Sequence, residues 1–131
     1  MAIINVTLKY QKSPEPVTVS MGPGDVVAAK FTTGAVVENG GTGGHVSAAQ
    51  HMGSESADRI MALNTSPGDF TPNTAGKHGY PNNVTQGPTP YLYFNGNPQK
   101  GYPLAPNTTY YANLENVEPM ASGTVIISLT A

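Results

Sequence analysis

The sequence predicts an all-β chain: an antiparallel β-sandwich, jelly-roll or immunoglobulin-like, of about eight strands. Three observations predict it. Apolar residues recur at every second position through most of the chain, the spacing of a half-buried strand. Turn formers are abundant, with 15 Gly and 12 Pro among 131 residues, and they fall between the alternating segments. The one segment with helical character, 47–57 ("SAAQHMGSESA"), is interrupted by Gly53 and by serines. Short strands separated by Gly, Pro and Asn turns are the pattern of sandwiches and barrels.

The strands follow in order. "INVTLKY" sets Ile4, Val6, Leu8 and Tyr10 on one face and Asn5, Thr7 and Lys9 on the other. "PVTVS" (16–20) and "DVVAAKFTT" (25–33) come next, with a Pro-Gly turn between them. "HVSAAQ" (45–50) and "DRIMALNT" (58–65) make the middle strands, and "PYLYFN" (90–95) follows. In "TTYYANLEN" (108–116), Tyr110, Ala112 and Leu114 read as inward, and Tyr111 and Asn113 as outward. "GTVIISLT" (123–130) is rich in β-branched residues, which suits a strand inside a sheet. Two segments break the alternation: the Gly-rich 38–45, and a long Pro/Gly-rich loop at 67–90. Long loops in compact domains are often functional, so 67–90 is the first place to seek a binding surface. The Gly-rich segment lacks the Lys-Ser/Thr ending of a phosphate loop.

At this length the chain reads as a single domain, 1–131, able to build a core without staples. There is no Cys, which excludes disulfides and Cys-based zinc sites. Charged residues make up only 11%, against roughly 25% in ordinary soluble domains. Net charge is −2, and the six basic residues (Lys9, Lys12, Lys30, Arg59, Lys77, Lys100) are scattered. A nucleic-acid surface needs concentrated positive charge, so nucleic acid is not an expected partner. The N-terminus lacks the pattern of a signal peptide, and no run approaches the ~20 apolar residues of a spanning helix. No cofactor is implied.

Pro-Gly-Asp occurs twice, in "MGPGDVV" (21–27) and "TSPGDFTPNT" (65–74). Pro presets φ for the second position of a type II turn, and Gly accepts the positive φ of the third. Asp then bonds to nearby backbone amides. Both are read as strand connections rather than as a duplicated site. A calcium site at Asp69 would need six to eight oxygens, and the acidic residues, eight in all, form no ligand-spaced group.

"RIMALNTSPGDF" (59–70) and "LAPNTTYYANLEN" (104–116) resemble a β-sandwich accessory domain of bacterial exported proteins and some phage proteins. That family carries Ser-x-x-Pro-Gly-Asp-Phe and, later, Leu-x-Pro-Gly-Thr-x-Tyr-Tyr-x-Asn-Val. The resemblance covers the C-terminal half. Ser66 stands where members often have Cys, and Pro106-Asn107 where they have Pro-Gly. Asn is the other residue that tolerates the left-handed region. The resemblance implies a sandwich module without catalytic residues.

Candidate chemistry is sparse. His45 and His51, six apart on one strand, are separated by roughly 20 Å, too far to share a metal. His78 has no evident partner in the sequence, so no metal site is expected. Glu38, Glu55, Asp58, Asp69, Glu115 and Glu118 suggest no pairing across a cleft, and no nucleophile-elbow motif occurs, so no enzyme activity is expected. Four Asn-x-Ser/Thr triplets (from Asn5, Asn64, Asn83 and Asn107) are read as turn composition.

Aromatic residues concentrate late, at Tyr80, Tyr91, Tyr93, Phe94, Tyr102, Tyr110 and Tyr111. If Leu92 and Phe94 face the core, Tyr91 and Tyr93 form an outward pair. Tyrosine offers apolar area and a hydroxyl at low entropy cost, which suits sugar faces or protein interfaces. The candidate binding residues are therefore Tyr80, Tyr91, Tyr93 and Tyr102, with Asn95 and Asn97. Functionally, the sequence points to a structural subunit on a virion: a phage head decoration, head fibre or tail component that assembles with other virion proteins as a homo-oligomer. The alternative is a carbohydrate-binding or adhesive module of a secreted bacterial protein, with glycans or surface proteins as partners.

Overall fold

The computed structural model describes residues 2–37, 44–52, 59–71, 82–84, 91–94, 104–116 and 123–131. Among them the chain is all strand, with no helix. Nine strands form: β1 (Ile3–Thr7), β2 (Val17–Met21), β3 (Val26–Thr32), β4 (Gly44–Met52), β5 (Arg59–Asn64), β6 (Asn82–Val84), β7 (Tyr91–Phe94), β8 (Thr109–Asn116) and β9 (Gly123–Thr130). They make a five-stranded sheet, β1-β3-β8-β5-β6, and a four-stranded sheet, β2-β9-β4-β7.

Alternation explains the inner face. In β9, Val125, Ile127 and Leu129 are buried, and the residues between them are half-buried. In β8, Tyr110, Ala112 and Leu114 join the core, as their spacing predicts. A single hydrophobic cluster draws on both sheets: Val27, Phe31, Met61, Leu63 and Leu114 from one, and Val19, Met21, Val46, Ile127 and Leu129 from the other. Burying a Leu, Ile, Phe or Met side chain contributes about 1.5–3 kcal/mol, so this shared cluster is the main favourable contribution.

Three expectations need correction. The five-stranded sheet is mixed, because β1 and β3 run parallel. Between them the chain crosses to the other sheet, forms β2 and returns, so β3 starts from the same end as β1. The strand count is nine among the described residues rather than about eight. The segment 67–90 is not wholly loop: 82–84 pairs with β5 (Arg59↔Val84, Met61↔Asn82), and 66–69 is an ordered turn.

The four-stranded sheet is antiparallel throughout its described ladders. In the five-stranded sheet both faces are covered at two places. Val26, Val27, Ala28 and Ala29 are buried in succession, as are Met61, Ala62, Leu63 and Asn64. Val26, Ala28 and Ala62 lie outside the main cluster. The second cover comes from the chain just after β5.

Candidate functional site

The second Pro-Gly-Asp turn is held over the face of the five-stranded sheet opposite the core. Asn5, Ala28, Asn113 and Ala62 form one register row across β1, β3, β8 and β5. Asn113 is fully buried although its strand position alternates with the core residues. Its Oδ1 accepts the Gly68 N–H (2.9 Å), and its Nδ2 donates to the carbonyls of Ser66 (3.1 Å) and Asp69 (3.0 Å). Asn64 adds donation from Nδ2 to the carbonyls of Asp69 (2.6 Å) and Thr71 (3.2 Å). Small residues on either side of Asn113 let the turn approach this closely. The outward orientation expected for Asn113 is correct as a strand face and wrong as exposure.

The turn that leads into β8 has a similar economy. Asn107 sits at φ 51°, and its N–H donates to the Gly34 carbonyl (2.9 Å). Tyr110 Oη accepts the Ala105 N–H (2.7 Å), while buried Thr33 bonds Ala105 and Thr108. Such closures fix where β8 begins.

Both described Asp side chains are engaged in turns. The Gly22 N–H, and less strongly that of Ala2, lowers the pKa of Asp25 below the usual carboxylate value. The Thr71 backbone N–H does the same for Asp69, helped by the Thr71 side chain. Among the described residues no group of three His, Cys, Asp or Glu could hold a metal ion. Nor is any described helix long and apolar enough to cross a membrane.

The aromatic candidates separate into two groups. Tyr80, Asn95, Asn97 and Tyr102 lie outside the described residues, as does His78. Tyr91 and Tyr93 lie on β7, at the end of the four-stranded order. There Tyr91 pairs with Ser47, Leu92 with Val46 and Tyr93 with His45. The same β4 residues align with Ser128, Leu129 and Thr130 of β9. Val46 and Leu129 are buried, whereas Ser128 and Thr130 are half-buried. Leu92 thus shares the row of the core pair, and the two tyrosines share the alternate rows.

One concavity escaped the sequence reading. A pocket of about 270 Å³ is lined by Tyr10, Gln11, Lys12, Gly34, Val36 and Ala131. It forms where the segments after β1, β3 and β9 converge, joined by the Ala131 N–H to the Gln11 carbonyl (3.0 Å). The Tyr10 ring stacks on Phe31 with centroids 6.0 Å apart. Only the inward alternation of Tyr10 hinted at it, since nothing in the sequence joins residues 10, 36 and 131.

No family model matches the chain, and no curated protein does. Among solved structures, it is similar to the crystal structure of Aeromonas hydrophila PliG, a periplasmic lysozyme inhibitor of g-type lysozyme. The TM-score is 0.44 and the identity 9%, over 98% of this chain and 99% of that one. The expectation of a virion surface subunit is withdrawn: the solved structure found is described as a periplasmic lysozyme inhibitor and not as a virion protein, and virion partners and a virion location find no support in these comparisons.

Proposed function

We propose that this chain is a non-catalytic binding module of a secreted or cell-surface protein, folded as one β-sandwich domain, that recognises carbohydrate through Tyr91 and Tyr93. The register of β7 carries this reading. It sets the two tyrosines in rows with Ser47 and Ser128, and with His45 and Thr130, out of step with the buried Val46 and Leu129. Register rows that bring together Tyr, Ser, Thr and His positions hold the residue types suited to the apolar face and hydroxyls of a sugar.

The sandwich arrangement is supported by the hydrophobic cluster common to both sheets. Kinship with the accessory domains of exported proteins is supported by Asn113, which bonds the "SPGDF" segment to the "YYANL" segment. A non-catalytic role is supported by the engagement of Asp25 and Asp69 in turns, and by the exposed Lys9–Glu15 pair at 3.3 Å.

A glycan array tests the reading. At least one glycan class is expected to bind, and Tyr91→Ala/Tyr93→Ala is expected to weaken that binding by about tenfold or more, since an aromatic contact contributes about 0.5–1.5 kcal/mol beyond its area. No glycan bound, or binding unchanged in the double variant, would sink the idea.

A further inference from the structure

The geometry points to the open edge of β1 as a self-association site: it pairs with the same edge of a second copy of this chain, antiparallel and centred on Asn5. Which backbone groups are available follows from the parallel ladder. The Val26 N–H donates to the Ala2 carbonyl (2.9 Å), and the Leu8 N–H donates to the Lys30 carbonyl (2.7 Å). In a parallel pair the bonding residues of one strand alternate, so Ala2, Ile4, Val6 and Leu8 face β3. Ile3, Asn5 and Thr7 therefore present their N–H and C=O groups to the opposite side, where no described strand pairs with them.

That side is self-complementary. A two-fold axis at Asn5 sets Asn5 opposite its own copy and Ile3 opposite Thr7 of the second chain. Each pair exchanges two backbone bonds in antiparallel register. The strand "IINVT" holds no charge and no Pro, so nothing repels across the axis. Ile3 is 52% exposed, one of two large apolar residues exposed among those described. Of the charges near the strand, Lys9 is paired with Glu15 and Asp25 is bonded by the Gly22 and Ala2 amides, while Lys30 lies one strand inward, in the row of Thr7 and away from the axis at Asn5.

The other edges are less suited. β2 is flanked by Pro14, Pro16 and Pro23, which blunt an edge. β6 has three residues and β7 four. β1 lacks every such device, and pairing two copies joins their five-stranded sheets through it. This site does not depend on the tyrosine rows.

The test is sedimentation of the full chain from about 1 μM to about 1 mM, with amide exchange read residue by residue. A dimer is expected to form as concentration rises, with exchange at Ile3, Asn5 and Thr7 slowed by about tenfold or more. Ile4 and Val6 stay protected at every concentration. Asn5→Pro removes an N–H that β3 does not use, and Asn5→Lys brings two ammonium groups together at the axis. Both variants should remain monomeric with an unchanged melting temperature. If Asn5→Pro fails to fold, Asn5→Lys decides. A monomer throughout the range, a dimer that persists in folded Asn5→Lys, or concentration-independent exchange at the three amides overturns the proposal.

Discussion

The two Pro-Gly-Asp turns share a backbone and differ in what holds it. In both, Pro occupies the second position and Gly the third, at φ 76° for Gly24 and 74° for Gly68. Each is closed by the Asp N–H, to Gly22 O at 3.1 Å and to Ser66 O at 3.4 Å. The first turn is tied by its own carboxylate: Asp25 accepts the Gly22 N–H (2.8 Å) and reaches the Ala2 N–H (3.2 Å). The second is gripped from outside, by amide side chains of β5 and β8 that bond its backbone. A tripeptide thus sets the shape of a turn, and its neighbours decide whether it serves as a connection or as a piece of the interior.

The largest consequence of that contrast lies at Asn113. Asn113→Ala leaves the Gly68 N–H and the Ser66 carbonyl without their side-chain partner beneath a covered face. A loss of about 3 kcal/mol is expected in urea unfolding, from the cost of buried groups left unpaired. A loss below about 1 kcal/mol would mean that the turn rests on the sheet without being held there.

The glycines sharpen the comparison at intermediate size. Both violate the preference of L-residues, so Gly24→Ala should cost about 1 kcal/mol from backbone strain alone. A Cβ at Gly24 meets nothing within 4 Å, whereas one at Gly68 lies 3.2 Å from Ile3 Cδ1. Gly68→Ala should therefore cost more, about 2 kcal/mol. Equal losses in paired denaturation curves would remove the distinction.

The smallest effect is in acid. Backbone amides, Gly22 first for Asp25 and Thr71 for Asp69, lower both carboxylates in the folded chain. A lowered folded pKa contributes stability that is fully present above the unfolded value of about 3.9, and is lost as pH falls through the folded one. Melting temperatures recorded from about pH 2 to about pH 7 should therefore decline at the acid end. Asp25→Asn and Asp69→Asn should each flatten that decline slightly, and an unaltered acid limb in both would contradict these assignments.

The legible part of the fold was the part governed by local spacing. Val125, Ile127 and Leu129, and Tyr110, Ala112 and Leu114, point where a period of two puts them. Positive φ at Gly24, Gly68 and Asn107 follows equally from turn chemistry. What escaped depends on residues distant in sequence. Asn113 is covered by a turn some 45 positions earlier, so its burial leaves no local trace. Ala28 and Ala62 were the available clue, since small residues flank the place where the turn approaches. Parallel pairing of β1 with β3 was hidden because alternation is blind to strand direction. At the candidate site, alternation allows two readings of "PYLYFN", and only the pairing with a distant strand gives Leu92 its place in the row of Val46 and Leu129.

The position of the last two strands has a consequence for the order of assembly. β8 lies between β3 and β5, and β9 lies between β2 and β4. A nascent chain that ends before residue 109 can form the β1–β3, β5–β6 and β4–β7 pairs, but neither sheet's centre. Pairings such as Thr32 with Thr109, 77 residues apart, must then close late and over long loops. Both sheets wait for β8 and β9, so neither is complete until the last two strands have been made.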